Sequence, residues 1–410
     1  MTSKKCLKLT VSIACSVGLA GLIAPSEAFA QSTVTSSTPG DQVDPAIYDV
    51  FLDTGDPLNV PVTVTVPDTP SKLDLFLNLD LSGSFNNDLP VLRNSVAPAL
   101  ISEFCASSDA LCGVSSFVDK PVTPFGDPFS DDFVYNTDLA LTSDTVAFQN
   151  AVNGLSIRFG NNAPESQLES LLQIAVRADD IGFRDDALSV VVLTTDNTFN
   201  QAGDGAEASG DPDQNGIAGI QTPNDGDDVL DLGLSPDGFG FLPGLGEDYP
   251  STEQTRAALM DAGIVPIFAV TSGFIPTYQD LVDDFGFGTV VELMSDSSNL
   301  VDAISAGLEN VISDITLFAM DDDFGYVDSI VPTGFTDVPA GESRTFDVTL
   351  LSDGTGSDDT LSLVAPGFGE TVVNVDVAVD VPEPTSMLGL FAVGALGAGS
   401  TLKRKHKQKA

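Results

Sequence analysis

Hydrophobic periodicity divides the chain into three regimes. Between residues 44 and 66, IYDVFLD and VPVTVTV alternate apolar and polar positions around the turn signal Thr54-Gly55-Asp56-Pro57, which predicts two half-buried strands. From Leu73 the pattern changes to near-continuous apolar runs separated by segments of helical period. It predicts strands at Leu73–Leu81, Gly113–Val118, Ala187–Thr195, Gly263–Thr271 and Thr289–Leu293. Helices are expected at Leu89–Phe104, Pro164–Arg177, Thr252–Asp261, Pro276–Phe285 and Ser298–Ile315. Strands alternating with helices imply an α/β domain, a mostly parallel sheet covered on both faces. After Ile315 the helical period stops, and FAMDDDFGYVDSIVP, TFDVTLL, TLSLVA and TVVNVDVAV read as the short strands of a small β-sandwich. The strands before Leu73 are alike in kind, so the pattern predicts one β-domain, residues 44–70 and 316–380, interrupted by an α/β domain at 71–315.

The ends read differently. Met1–Ala30 has a Lys-bearing start, an apolar core from Leu9 to Ala24 and Ala28-Phe29-Ala30 before Gln31, the organisation of a secretory signal peptide. Residues 31–43 open Ser/Thr-rich and predict a flexible lead-in. At the other end Val381-Pro382-Glu383-Pro384 precedes TSMLGLFAVGALGAGSTL, about long enough to cross a bilayer, and then the basic run KRKHKQK. Together these three parts, residues 381–410, resemble the PEP-CTERM sorting signal. The resemblance implies export by a Gram-negative bacterium, a transient anchor in the inner membrane, cleavage by an exosortase, and delivery to the surface or an extracellular matrix.

Charge narrows the partners. The chain carries 16 basic and 60 acidic residues, and eight of the basic ones lie in the two terminal segments. Such a body has nothing with which to neutralise phosphates, which excludes nucleic acid, whereas an anionic surface attracts divalent cations and is also common in secreted proteins. Outside the leader there are two cysteines, Cys105 and Cys112, whose close spacing in an exported chain predicts a small surface disulfide. The single histidine, His406, lies in the basic tail, so a zinc site is not expected.

Two polar insertions interrupt the α/β pattern, Phe125–Asp138 and Asn200–Tyr249, and loops of this length are functional or disordered. In the second, Asp211-Pro-Asp213-Gln-Asn215-Gly216 has the first half of a calcium loop, but Thr222 stands where a closing bidentate Glu belongs. A weak calcium clip and a solvated turn are both open readings.

Candidate chemistry concentrates where the first apolar strand ends, in LDLFLNLDLSGSFNND. Asp80, Ser82 and Ser84 put one carboxylate and two hydroxyls on one turn, all hard oxygen donors at a strand's carboxyl end, where open α/β sheets bind ligands. Alone the pentapeptide fits a capped strand-to-helix turn equally well. Three other stretches bear on it: GNNAPESQ places Glu165 before a helix, LSVVVLTTDN places Thr195 and Asp196 at the end of the most apolar strand, and VELMSDSSN places Ser295 and Asp296 beyond the last one.

From Pro45 to Val379 the chain resembles the integrin β-subunit head, a von Willebrand factor A (VWA)-type βI domain inserted in a hybrid β-sandwich. The stretches that carry this, in the family's order, are LDLFLNLDLSGSF, SSFVDKPVTPF, APESQLESLLQIAV, VVLTTDNTF, QTPNDGD, YPST, IVPIFAVTSGFIPTYQDL and MSDSSN. The resemblance implies a Mg2+ adhesion site of Asp80, Ser82, Ser84, Glu165 and Asp196, with the Ser hydroxyls and Glu165 as direct ligands, Asp80 and Asp196 acting through water, and one position open to a ligand's carboxylate. It implies an adjacent Ca2+ site of Asp88, Asp196 and the carbonyls of Ser84 and Ser295, where Asn87 replaces an expected Asp. A third site would use Asn162, the Pro164 carbonyl and Glu165, with Asn162 in place of an Asp and Gly160 in place of an Asn. The stalk of animal integrins is missing, and the sequence does not reveal an α-like subunit.

The expected function is cation-dependent adhesion to a protein or matrix ligand presenting an acidic group. The alternative is a structural matrix protein with Ca2+-stabilised acidic loops and no adhesive use of the site. No enzymatic activity is expected, for the body has no histidine, no thiol nucleophile and no Gly-rich phosphate loop.

Overall fold

The computed structural model describes residues 31–68, 72–236, 238 and 240–378. The proposed signal peptide and the C-terminal segment with its apolar stretch lie outside these residues. Among the described residues no helix is long and apolar enough to cross a membrane.

Six strands form the central sheet, in the order Thr289–Leu293, Ile264–Thr271, Leu188–Thr195, Leu73–Asp80, Ala110–Phe117 and Asn136–Thr142. The first five run parallel, and the last is an antiparallel edge. Leu73–Asp80 sits at the centre with seven of its eight residues buried, because helices cover both faces. This is the α/β class that the periodicity predicts. The helix Thr252–Asp261 starts and stops as expected, and its capping box of Ser251 and Gln254 is the local reason for the start. Between Asp88 and Cys105 the predicted helix forms, but two wide turns, Leu92–Val96 and Ile101–Cys105, interrupt it. Pro98 cannot donate to the Asn94 carbonyl and its ring would crowd it, so the wider first turn accommodates the proline.

Four features differ from the sequence expectation. Residues 31–43 are not a free lead-in: Thr33–Thr38 is a strand paired antiparallel with Ile47–Leu52, its alternation hidden because it is an exposed edge of small polar residues. The edge strand Asn136–Thr142 and the helix Thr145–Gly154 are not predicted by periodicity, because they are short and only partly apolar. The helix predicted from Pro164 begins at Gln167. Finally, the Cys105–Cys112 disulfide forms, but it is buried, at 3% and 0% exposure, because it ties the covering helix to the strand Ala110–Phe117 beneath it. With the cysteines seven positions apart in sequence, Cys105→Ser with Cys112→Ser should cost about 2 kcal/mol in chemical denaturation. An unchanged midpoint would mean that the helix end is held by packing alone.

Both flanks of the α/β region build two further sheets. One runs Thr33–Thr38, Ile47–Leu52, Gly369–Val377, Asp359–Ala365, Phe318–Met320, and the other Val327–Val331, Ser343–Leu350, Leu58–Thr65, Val43–Asp44. Ser343–Leu350 pairs along its whole length with Leu58–Thr65, so chain from before and after the α/β region shares one core of Val60, Val62, Val64, Phe346, Val348 and Leu361.

Candidate functional site

Because the strands run parallel, the ends of Leu73–Asp80, Leu188–Thr195 and Thr289–Leu293 all reach the same edge of the sheet. The turn after Asp80 is fixed from within. Asp80 Oδ1 accepts from the Ser82 backbone N–H at 2.8 Å, and its Oδ2 accepts from the Thr195 hydroxyl at 2.7 Å. Both oxygens are therefore committed to shaping the turn. The Ser82 and Ser84 hydroxyls stand 3.0 Å apart, and Ser84 donates to Asp196 Oδ1 at 2.7 Å. Asp80 and Ser82 are buried while Ser84 is exposed, so the group has a closed floor and an open mouth.

Glu165 completes the floor. It is not in the first turn of the helix but in a short parallel bridge with Phe199: its N–H donates to the Thr198 carbonyl at 3.0 Å and its carbonyl accepts from Asn200 N–H at 2.9 Å. This extended backbone aims the side chain at the turn after Asp80, where the Ser82 hydroxyl meets it. Its residue exposure is 2%, and Oε2 has no hydrogen-bond partner. Burial, followed by the negative charges of Asp80 and Asp119, pushes its carboxyl up to about 12, while the Ser82 hydroxyl favours the ionised form. Burial likewise raises Asp80 to about 6 and Asp88 to about 7. A buried carboxyl with one oxygen unpartnered, beside two hydroxyls and two further carboxylates, lacks positive charge, and the donors are the hard oxygens that Mg2+ takes. Among the described residues no group of three or more His, Cys, Asp or Glu is gathered as a metal cage; the donor set here mixes carboxylates with hydroxyls. The residues present thus fit a cation with few direct carboxylate ligands.

The other two candidate sites are engaged internally. Asp88 reaches the same edge, where Ser297 donates to its Oδ1 at 2.6 Å, and the Ser295 carbonyl accepts from the Asn87 amide. An amide nitrogen therefore occupies the carbonyl that a calcium ion would need. At the third, the Asn162 amide faces the Phe125 and Pro164 carbonyls, and with its nitrogen turned towards them it donates to both, at 3.2 and 3.1 Å. Gly160, at φ +57°, packs so closely that a Cβ would lie 3.0 Å from Glu165 Oε1. In the loop expected to be a calcium clip or a turn, Asp211 accepts from the N–H groups of Asn215 and Gly216, and Thr222 donates to Asp213 at 3.1 Å.

Residues 68–315 match the family model for the integrin beta chain VWA domain. The chain belongs to this family. Over 261 residues, 60% of this chain, it is 33% identical to human integrin beta-7, and over 338 residues, 77% of this chain, 29% identical to mouse integrin beta-4. It spans 31% and 18% of those two proteins. Residues 380–405 match the PEP-CTERM protein-sorting motif, which implies exosortase processing and suggests export to the surface or extracellular space. This integrin-type VWA domain uses more polar residues around its site than the sequence reading assigned. Asp119, fully buried, accepts from Asn200 Nδ2 at 3.0 Å and from the Tyr249 hydroxyl, and burial raises it to about 8. Asp132 accepts from the N–H groups of Asp127, Phe159 and Gly160 at 2.8, 3.2 and 3.3 Å. Asp119 lies in SSFVDKPVTPF, where Val-Asp-Lys interrupts an apolar run; Asp132 is one acidic residue among several in a polar insertion, with no local signal.

Proposed function

We propose that this is a surface or secreted adhesion protein that recognises an acidic group through a divalent cation, Mg2+ by preference, at the edge formed by Asp80, Ser82, Ser84, Glu165 and Asp196. The observation that carries the reading is the orphaned Oε2 of Glu165, buried among further carboxylates, with no ion pair to Glu165 among the described residues. Ser82, Ser84 and Glu165 would hold the ion, and Asp80 and Asp196 would orient the hydroxyls and any bound water. The ion would supply a vacant, positively charged position for a ligand carboxylate. No reaction is assigned to the protein. Processing at the C-terminal motif would release the chain from a transient anchor to the surface or matrix.

Calorimetric titration of Mg2+ into the EDTA-treated, dialysed protein tests this. Ser82→Ala should weaken binding at least about tenfold, the range over which a lost metal contact is felt. A peptide with a single aspartate should then bind the wild type only when Mg2+ is present. Mg2+ affinity unchanged by Ser82→Ala and by Asp80→Ala would refute the assignment.

A further inference from the structure

A chain of fully buried polar side chains runs through the centre of the α/β domain and ends on Asp80. Ser115 donates to Asn78 Oδ1 at 3.1 Å, Asn78 Nδ2 donates to the Ser170 hydroxyl at 2.7 Å, and Ser170 donates to the Gln167 carbonyl at 2.8 Å. These bonds tie the start of the helix Gln167–Val176 to the strands Leu73–Asp80 and Ala110–Phe117. The Gln167 side chain then continues the chain, its Nε2 donating to the Thr195 hydroxyl at 3.1 Å. Burying an amide in this core costs desolvation free energy, and Gln167 is only half satisfied, because its Oε1 has no partner. An apolar side chain of similar volume would fill the same space without that cost.

What the amide achieves follows from the one proton of Thr195. A threonine hydroxyl has one hydrogen and two acceptor positions. Here both acceptor positions are taken, by Gln167 Nε2 and by the Asn197 backbone N–H, each at 3.1 Å. The proton is left for Asp80 Oδ2, 2.7 Å away. The Tyr278 hydroxyl also lies beside Thr195, but it donates to the Asn197 carbonyl at 3.1 Å, and as an acceptor it is weaker than a carboxylate. Without the amide the hydroxyl is free to rotate, and Asp80 loses a fixed partner on Oδ2. We propose that Gln167 is a positioning residue for the cation edge: it directs the Thr195 hydroxyl, which holds Asp80 in the orientation that shapes the turn of Ser82 and Ser84. This rests on the cation-bridged reading above and extends it to a residue outside the proposed ligand set.

The test is a double-mutant cycle read by calorimetric titration of Mg2+ into the EDTA-treated, dialysed protein. Gln167→Met should weaken Mg2+ binding about tenfold, the lower end of the range for partners that act from behind a metal ligand. Thr195→Val should weaken it at least as much, and adding Gln167→Met to Thr195→Val should change nothing further, because the amide then has no hydroxyl to direct. Gln167→Asn, whose amide falls one methylene short of Thr195, should behave as Gln167→Met, so the result does not depend on one variant. In EDTA the denaturation midpoint of Gln167→Met should stay level or rise, since an unpartnered buried oxygen is removed. A lowered midpoint in both Gln167 variants would assign the residue to the fold alone and overturn the proposal. So would a loss of Mg2+ affinity that multiplies with that of Thr195→Val. Mg2+ binding that Ser82→Ala removes and the Gln167 variants leave intact would overturn the positioning role and leave the ion site standing. Absence of Mg2+ binding by the wild type would overturn both.

Discussion

Glu165→Gln is expected to make the metal-free protein more stable at pH 8 while abolishing most of its Mg2+ affinity. The sign follows from linkage. The carboxyl is pushed up to about 12 in the folded chain, far above the range it has when unfolded. Between about pH 4.5 and 8 the folded state therefore holds a proton that the unfolded state releases, and stability falls as pH rises through that window. Asp80 at about 6, Asp88 at about 7, and Asp119 and Glu247 at about 8 act in the same direction. In EDTA the melting temperature should thus drop from pH 5 to pH 8. Saturating Mg2+ should flatten the drop, since an ion binds the ionised carboxylates and stabilises only the folded state. Glutamine keeps the shape of the protonated acid and needs no proton, so the variant should gain on the order of a few kcal/mol at pH 8 in EDTA. It should gain nothing from Mg2+. A wild-type melting curve in EDTA that is flat between pH 5 and 8, or that rises, would show that the cluster does not carry this electrostatic stress.

A loss of comparable size, in the opposite direction, is expected at Lys120. Its side chain and that of Glu169 are both fully buried, with Nζ 3.9 Å from Glu169 Oε2. The ammonium donates to the Gly244 carbonyl at 2.6 Å and lies 4.8 Å from the centre of the Tyr249 ring, whose hydroxyl donates to Asp119. Nearby Glu247 is 2% exposed with Oε2 unpartnered, and burial and Glu169 raise its carboxyl to about 8. One cation thus offsets several buried acids and pins the loop that carries Gly244 against the α/β body. Removing it leaves those acids uncompensated, so Lys120→Met should destabilise by about 3–5 kcal/mol. Adding Glu169→Gln should recover part of the loss, because the two residues act as a pair. Chemical denaturation reads both numbers. A single-variant loss below about 1 kcal/mol would mean that water reaches the group and screens it as at a surface.

The sequence was sufficient wherever the signal was local and repeated. Five apolar runs with their intervening helical periods specified the parallel sheet, because strands buried on both faces must be apolar throughout. The abrupt change from LDLFLNLD to Ser, Gly, Asn and Asp located one strand end, and the parallel order then placed Asp80, Asp196 and Ser295 on a common edge. The stretch GNNAPESQ drew Glu165 to the site only by its place before a helix, and the resemblance to the integrin family supplied its expected role as a direct ligand, which no periodicity could assign.

What the chain order could not show was decided by contacts between residues far apart along it. The antiparallel edge Asn136–Thr142 and the strand Thr33–Thr38 are defined by the partners they pair with, since neither has an apolar rhythm of its own. Glu165 points into the site because it pairs with Phe199, 34 residues away, instead of starting a helix. The roles of Asp119, Asp132 and Lys120 depend on Tyr249, Phe159 and Gly244, each supplied by a distant loop. Whether a carboxylate is a solvated surface charge or a strained buried one is set by what folds over it, and the amino-acid order records that covering only through the fold.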